Sequence, residues 1–159
     1  MKAGEGVARV SAVIPVKDGE RYLQELLDAL SREGVDEVLV IDSGSKDRSL
    51  EIVKAAGVDL LEIDPAEFGH GRTRNLGAQR SSGDLICFLT QDATPCPGWL
   101  QAYRQAFELD AEIGAAFGPP LETPTIAGRS TRSPIVQPLW TTWETVPAGT
   151  VSSGASKIA

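Results

Sequence analysis

Residues 37–57 read EVLVIDSGSKDRSLEIVKAAG. The first six are a short apolar run that stops on a carboxylate, Asp42. A turn of Ser, Gly, Lys and Asp follows. Leu50, Ile52 and Val53 then belong to a short helix that Gly57 closes. An apolar run that does not alternate with polar residues suits a strand covered on both faces. A strand that feeds a helix through a tight turn is the repeating half of a parallel sheet.

The same alternation extends outward in both directions. Before it, VARVSAVIPV (7–16) is β-branched and apolar. Tyr22, Leu23, Leu26, Leu27 and Leu30 then recur at helical spacing, with Asp18 or Gly19 at the start and Gly34 at the end. After it come a third strand in VDLLEID (58–64) and a loop in PAEFGHG (65–71). RTRNLGAQRSSG (72–83) reads as a helix with Gly83 just past its end, and DLICFLT (84–90) as a fourth strand. Residues 98–109 are helical, and IGAAFG (113–118) supplies a fifth strand. The expected fold is α/β: a Rossmann-like, mostly parallel sheet with helices on both faces. In such sheets ligands lie beyond the carboxyl ends of the strands. That singles out Pro15-Val16-Lys17, Asp42 to Ser45, Asp64 to Gly71, and Gln91-Asp92.

The chain has 159 residues, enough for one domain with a real core. A net charge of −7 argues against a general nucleic-acid binder and against a basic membrane-surface protein. Cys87 lies in an apolar run and Cys96 between two prolines. They form no metal spacing and no disulfide framework, which favours a reducing compartment. No signal peptide and no transmembrane segment is expected. Residues 119–159 change character. They are rich in Pro, Ser and Thr, no strand or helix period persists, and their acids are Glu122 and Glu144. The expected division is a domain over 1–118 and a poorly ordered or atypical tail over 119–159, with Trp140 and Trp143 as possible anchors.

Each strand-end residue has a local explanation beside a functional one. Asp42 suits an Asx-turn, or a carboxylate that accepts from a base or a ribose. Asp47 is a separate cap candidate for the following helix, which leaves Asp42 freer for a ligand. FGHGRTRNLG (68–77) brings glycines, a helix start, Arg72 and Arg74 together, as an anion site would. It lacks the dinucleotide fingerprint and the Walker spacing. His70 is the sole histidine, so a zinc site is not expected. Asp92 lies too early to cap the helix at 98–109, and a divalent cation bridging it to a diphosphate would give it a partner.

VSAVIPVKDGERYLQELLDAL, EVLVIDSGSKDRSLEIVKAAG and RTRNLGAQRSSGDLICFLTQDATPCPGWL, in this order, resemble the nucleotide-binding half of a family 2 glycosyltransferase of the GT-A fold. FGHGRTRNLGA with FLTQDA resembles the rhamnosyltransferase-like branch, and the likeness covers about residues 8–118. The resemblance implies transfer of a sugar, in that branch rhamnose, from a UDP- or dTDP-linked donor to a saccharide or lipid-linked acceptor hydroxyl. Transfer would be inverting and assisted by Mg²⁺ or Mn²⁺, at a cytoplasmic location at the inner face of the membrane. It further implies that Asp42 reads the base, that Val16 and Lys17 line the base pocket, and that Arg74 and Gln91 contact the nucleotide. Asp92 would be the metal-binding acid. Gln91 departs from the family's acid pair, a departure that the rhamnosyltransferase-like branch shares. The family's catalytic base is an acid further along. No Asp follows Asp110, and Glu144 is the late candidate. A donor half that lacks its acceptor half, from a truncation or a shifted frame, is expected on this basis. A non-catalytic nucleotide-sugar-binding fragment or interaction module is the alternative. A nucleotidyltransferase fits less well, because PVKDGE is a poor Gly-rich loop.

Overall fold

The computed structural model describes residues 7–108, 113–117 and 144–147. The elements run β1 (Val10–Val16), α1 (Glu20–Glu33), β2 (Glu37–Asp42), α2 (Ser49–Ala56), β3 (Asp59–Glu62), a 3₁₀ turn (Pro65–Glu67), α3 (His70–Arg80), β4 (Leu85–Phe88), α4 (Trp99–Glu108), β5 (Ile113–Phe117) and β6 (Glu144–Pro147). Strands β1 to β4 form one parallel sheet in the order β3-β2-β1-β4. β1 is therefore flanked by β2 and β4, and its residues other than Pro15 are buried on both faces.

The two faces of β1 separate by the period of two. Ala12, Ile14 and Val16 join Val40 beneath Leu23, Leu26, Leu27 and Leu30 of α1 and Val53 of α2. Val13 joins Leu39 and Ile41 on the opposite face. There α3 approaches so closely that a Cβ on Gly77 would lie 2.3 Å from Val13 Cγ1. Each fully buried leucine contributes about 1.5–3 kcal/mol of transfer free energy, so the α1 stripe carries much of the first face. Gly34 ends α1 at φ 73°, where its N–H and that of Val35 meet the carbonyls of Ser31 and Leu30. This is the Schellman arrangement that a glycine past the helix end serves. Burial pushes the Cys87 thiol up to about 12, whereas Cys96 is exposed.

Three details depart from the sequence-based expectations. Tyr22 is 39% exposed and faces away from the α1 stripe, with Arg21 stacked on its ring. Helix α3 begins two residues earlier, at His70, and ends at Arg80, so Gly83 does not close it. Gly83 instead lets its backbone pass beside Ser11, where a Cβ would lie 2.8 Å from Ser11 N. β5 does not extend the parallel sheet. It pairs antiparallel with β6, which forms at Glu144–Pro147 where no strand period was read. By compactness the described chain divides between Leu100 and Gln101, within α4.

Candidate functional site

The carboxyl ends of β2, β1 and β4 lie side by side, and their loops are tied together by side chains. Val16 and Asp42 are register partners. Asp42 is buried, at 2% exposure. Its Oδ1 accepts from Gly44 N at 2.8 Å and Ser45 N at 2.9 Å, and its Oδ2 accepts from the Ser45 hydroxyl. The Asx-turn is therefore built, and it holds the Asp42 carboxyl group just below the surface of the strand end. Gly44 completes the turn at φ 86°, and a Cβ there would meet Pro65 Cγ at 2.7 Å.

Val16 packs its side chain into the α1 face of the core, so the part that reaches the strand end is its carbonyl. That carbonyl accepts from Ser43 N at 3.0 Å and from Ser43 Oγ at 3.1 Å. Lys17 is exposed and points its Nζ at the Ser43 carbonyl, 3.2 Å away. Its backbone N–H donates to Gln91 Oε1 at 2.8 Å, and its carbonyl accepts from Gln91 Nε2 at 3.1 Å. Lys17 thus joins the loops on either side of it. Gln91, read from the resemblance as a nucleotide contact, has both amide atoms bonded to this backbone.

Asp92 follows on the turn after β4. It is exposed, and among the described residues its carboxylate has no hydrogen bond or ion pair. It does not cap α4. Glu33, the last residue of α1, supplies that carboxylate instead, accepting from Gly98 N at 2.8 Å. Asp47 likewise serves two helices. Its Oδ1 accepts from Ser49 N at the start of α2, and its Oδ2 accepts from Glu20 N at the start of α1. Burial raises the Asp47 pKa, but the Ser49 hydroxyl and the two N–H donors outweigh it, and the net shift is downward. Gly19 N meets Ser49 Oγ and Asp18 N meets Ser45 Oγ, so with Glu20 N on Asp47 the chain entering α1 is held by the β2–α2 loop and the first residue of α2. Sequence periodicity carries no sign of these long-range caps, because their partners come from other elements.

The two arginines of α3 differ. Arg72 turns back to the carbonyls of Ala66 and Phe68 and braces the loop that leads into the helix. Arg74 is half-buried and has no hydrogen bond or ion pair among the described residues. His70 is exposed and packs edge-on against Phe68, with ring centroids 5.2 Å apart. No group of three or more His, Cys, Asp or Glu side chains able to hold a metal occurs among the described residues. Glu144 is the first residue of β6, opposite Phe117, in the second unit. A cleft of about 620 Å³ opens at the other rim of the sheet, among Arg9, Asp28, Asp36, Glu37 and Asp59. Its carboxylates make it a poor place for an anionic ligand, and it lies away from the strand ends described above.

A parallel sheet whose polar loops converge beyond its carboxyl ends defines a Rossmann-like α/β protein. Glycosyl transferase family 2 matches residues 11–146, and the chain belongs to this family. The match takes in part of the segment after residue 118. The chain is 35% identical over 89 residues to the O-antigen chain rhamnosyltransferase RfbN of Salmonella typhimurium, covering 54% of this chain and 28% of that protein. It is 35% identical over 100 residues to the glycosyltransferase AglE of Haloferax volcanii, covering 58% and 33%. The chain thus spans about a third of the length of these relatives. Glucosyl-3-phosphoglycerate synthase from Mycobacterium tuberculosis, solved with Mn²⁺, UDP and glucosyl-3-phosphoglycerate, shares the fold. Its TM-score is 0.59 at 24% identity, covering 67% of this chain and 42% of that one. The same enzyme has been solved with Mg²⁺ and UDP. No helix among the described residues is long and apolar enough to cross a membrane.

Proposed function

We propose that the chain binds a nucleoside diphosphate sugar, UDP- or dTDP-linked, across the carboxyl ends of β2, β1 and β4. It would serve transfer of that sugar, rhamnose by likeness to the O-antigen relative, to a hydroxyl of a saccharide or lipid-linked acceptor with inversion. The support for this reading is a buried acid at the end of β2 together with two charges, Asp92 on the turn after β4 and Arg74 on α3, that have no partner among the described residues. Asp42 ends the strand on the other side of β1 from β4. The two unpaired cysteines accord with a reducing, cytoplasmic setting.

Each residue then has a task. Asp42 presents its carboxylate edge to the base or ribose, and Lys17 flanks it. Arg74 pairs with phosphate oxygens, for which a guanidinium fork is suited. Asp92 fits a divalent cation that arrives with its ligand, since Mg²⁺ is typically held by one or two carboxylates plus substrate phosphates. A cation bound there would offset the charge that builds on the leaving diphosphate. Removal of the acceptor's proton needs a base; Glu144, the late acid, belongs to the second unit, and the nucleotide and metal reading does not depend on it.

Calorimetric titration tests the reading. UDP or dTDP should bind more tightly with Mn²⁺ than with EDTA, and Mn²⁺ should bind more tightly with the nucleotide by the same factor. Asp92→Ala should remove that mutual dependence. Arg74→Ala should weaken the diphosphate far more than the nucleoside. Equal nucleotide affinity in Mn²⁺ and in EDTA would overturn the Asp92 assignment. Tight binding without sugar transfer would favour the non-catalytic binding module.

A further inference from the structure

The β1–β4 ladder stops before the site begins. Its last register pair is Val13–Phe88, followed by one bond from Leu89 N to the Val13 carbonyl. Beyond that point the main chains no longer pair, yet the turn that carries Asp92 still has to be held against the end of β1. The Gln91 side chain takes over this work. Its Oε1 accepts from Lys17 N at 2.8 Å and its Nε2 donates to Lys17 O at 3.1 Å, as a strand residue would. A primary amide matches a backbone unit because both offer one acceptor and at least one donor. A carboxylate could take the N–H but has nothing to give the carbonyl. Gly19 leaves the space that the amide fills, since a Cβ there would lie 3.0 Å from Gln91 Oε1 and 3.2 Å from Cδ. Through Lys17 Nζ and the Ser43 carbonyl the same clamp reaches the turn of Asp42.

We propose that Gln91 is a positioning residue, whose amide grips the Lys17 backbone and thereby sets Asp92 relative to Asp42. The amide in place of the family's acid is thus a working part of the site. It gives up a second charge near the cation and gains a fixed loop. This role rests on the nucleotide and metal reading above, and two measurements separate the fate of the clamp from the fate of that reading.

The first needs no ligand. Hydrogen exchange followed by NMR should show the Lys17 amide protected in the wild-type chain and exchanging several-fold faster in Gln91→Ala. The second is the factor by which Mn²⁺ raises UDP affinity. It should fall about fivefold or more, a change within the ordinary range of coupling, in both Gln91→Ala and Gln91→Glu. Gly19→Ala, which crowds the amide without altering it, should lower the factor in the same direction. That variant keeps the test valid if a change at 91 impairs folding. Equal exchange at Lys17 in wild type and Gln91→Ala would show that there is no clamp. A Gln91→Glu chain with stronger coupling than wild type would make position 91 a direct metal ligand and overturn the proposal. Protection at Lys17 without any Mn²⁺–UDP coupling in the wild type would keep the clamp but remove its role toward Asp92.

Discussion

At the scale of single residues, Asp42 shows how one carboxylate can shape a turn and still present a charge. Its two oxygens accept three donors from Gly44 and Ser45. Replacing it therefore has two separable effects. Asp42→Ala leaves partly buried donors without acceptors, which costs about 1 kcal/mol, the low end of the range for buried groups. It should lower the melting temperature as well as the nucleotide affinity. Asp42→Asn keeps an oxygen for the two N–H groups, and the Ser45 hydroxyl can accept from the new amide. It should melt close to wild type, yet bind nucleotide several-fold more weakly in titration calorimetry. If Asp42→Asn binds as tightly as wild type, the charge serves the turn alone. Asp42 was legible in the sequence because Asp followed by Ser-Gly-Ser at the end of an apolar run is a local signal. Gln91 was legible as a strand-end residue but not as a clamp. Its partner lies 74 positions away and is a backbone unit, which leaves no mark in side-chain pattern. Glu33 escaped for the same reason, and so did the second bond of Asp47: its place before α2 is a local signal, but its hold on Glu20 N, 27 positions away, is not.

At the scale of elements, the strand–helix alternation was readable because β1, β2 and α1 are strongly patterned, and Gly34 and Gly57 mark real helix ends at positive φ. Short elements were less readable. β6 is four residues long in a stretch rich in Pro, Ser and Thr, and its pairing with β5 depends on a partner 30 or so positions away, on the order of a long connection. The α3 helix carries a weak apolar stripe and is placed by a missing side chain instead. Gly77 lies over Val13 and Ile41, where a Cβ would come within 2.3 Å and 3.1 Å of their methyl groups. Gly77→Ala should therefore destabilise the fold by about 1–3 kcal/mol through overpacking, read as a lower urea midpoint. Gly71→Ala is the matched control in the same helix, because a Cβ there meets nothing within 4 Å. It should leave the midpoint unchanged or raise it slightly. Equal effects from both would mean that helix propensity, not the α3–sheet contact, sets the cost.

At the scale of the whole molecule, the first unit has two polar rims with different duties. The amino rim is a structural network. Ser11 donates to Glu37 and accepts from Gly83 N, Ser82 donates to Glu37, and Arg9 N and Val10 N donate to Asp84 and Asp36. The Ser11 hydroxyl, with the Ser82 N–H and hydroxyl, holds the Glu37 carboxyl below its ordinary value of 4.5. Because the folded-state pKa is the lower one, Glu37 stabilises the fold fully above about 4.5, and that contribution fades as pH falls through the folded value. The melting temperature should drop as pH is lowered through this range, and Glu37→Gln should flatten the drop while melting lower near neutral pH. An unchanged slope in Glu37→Gln would assign the acid sensitivity to other carboxylates. At the carboxyl rim, Asp92 has no partner among the described residues, and the proposed function gives it and Arg74 to a ligand. Between the rims the two cysteines stand in opposite conditions. Cys87 is sealed in β4 with its thiol held protonated, and Cys96 is open on the loop that follows Asp92. A maleimide fluorophore added near neutral pH will therefore find one address, and the natural sequence already carries a reporter beside its own candidate metal loop.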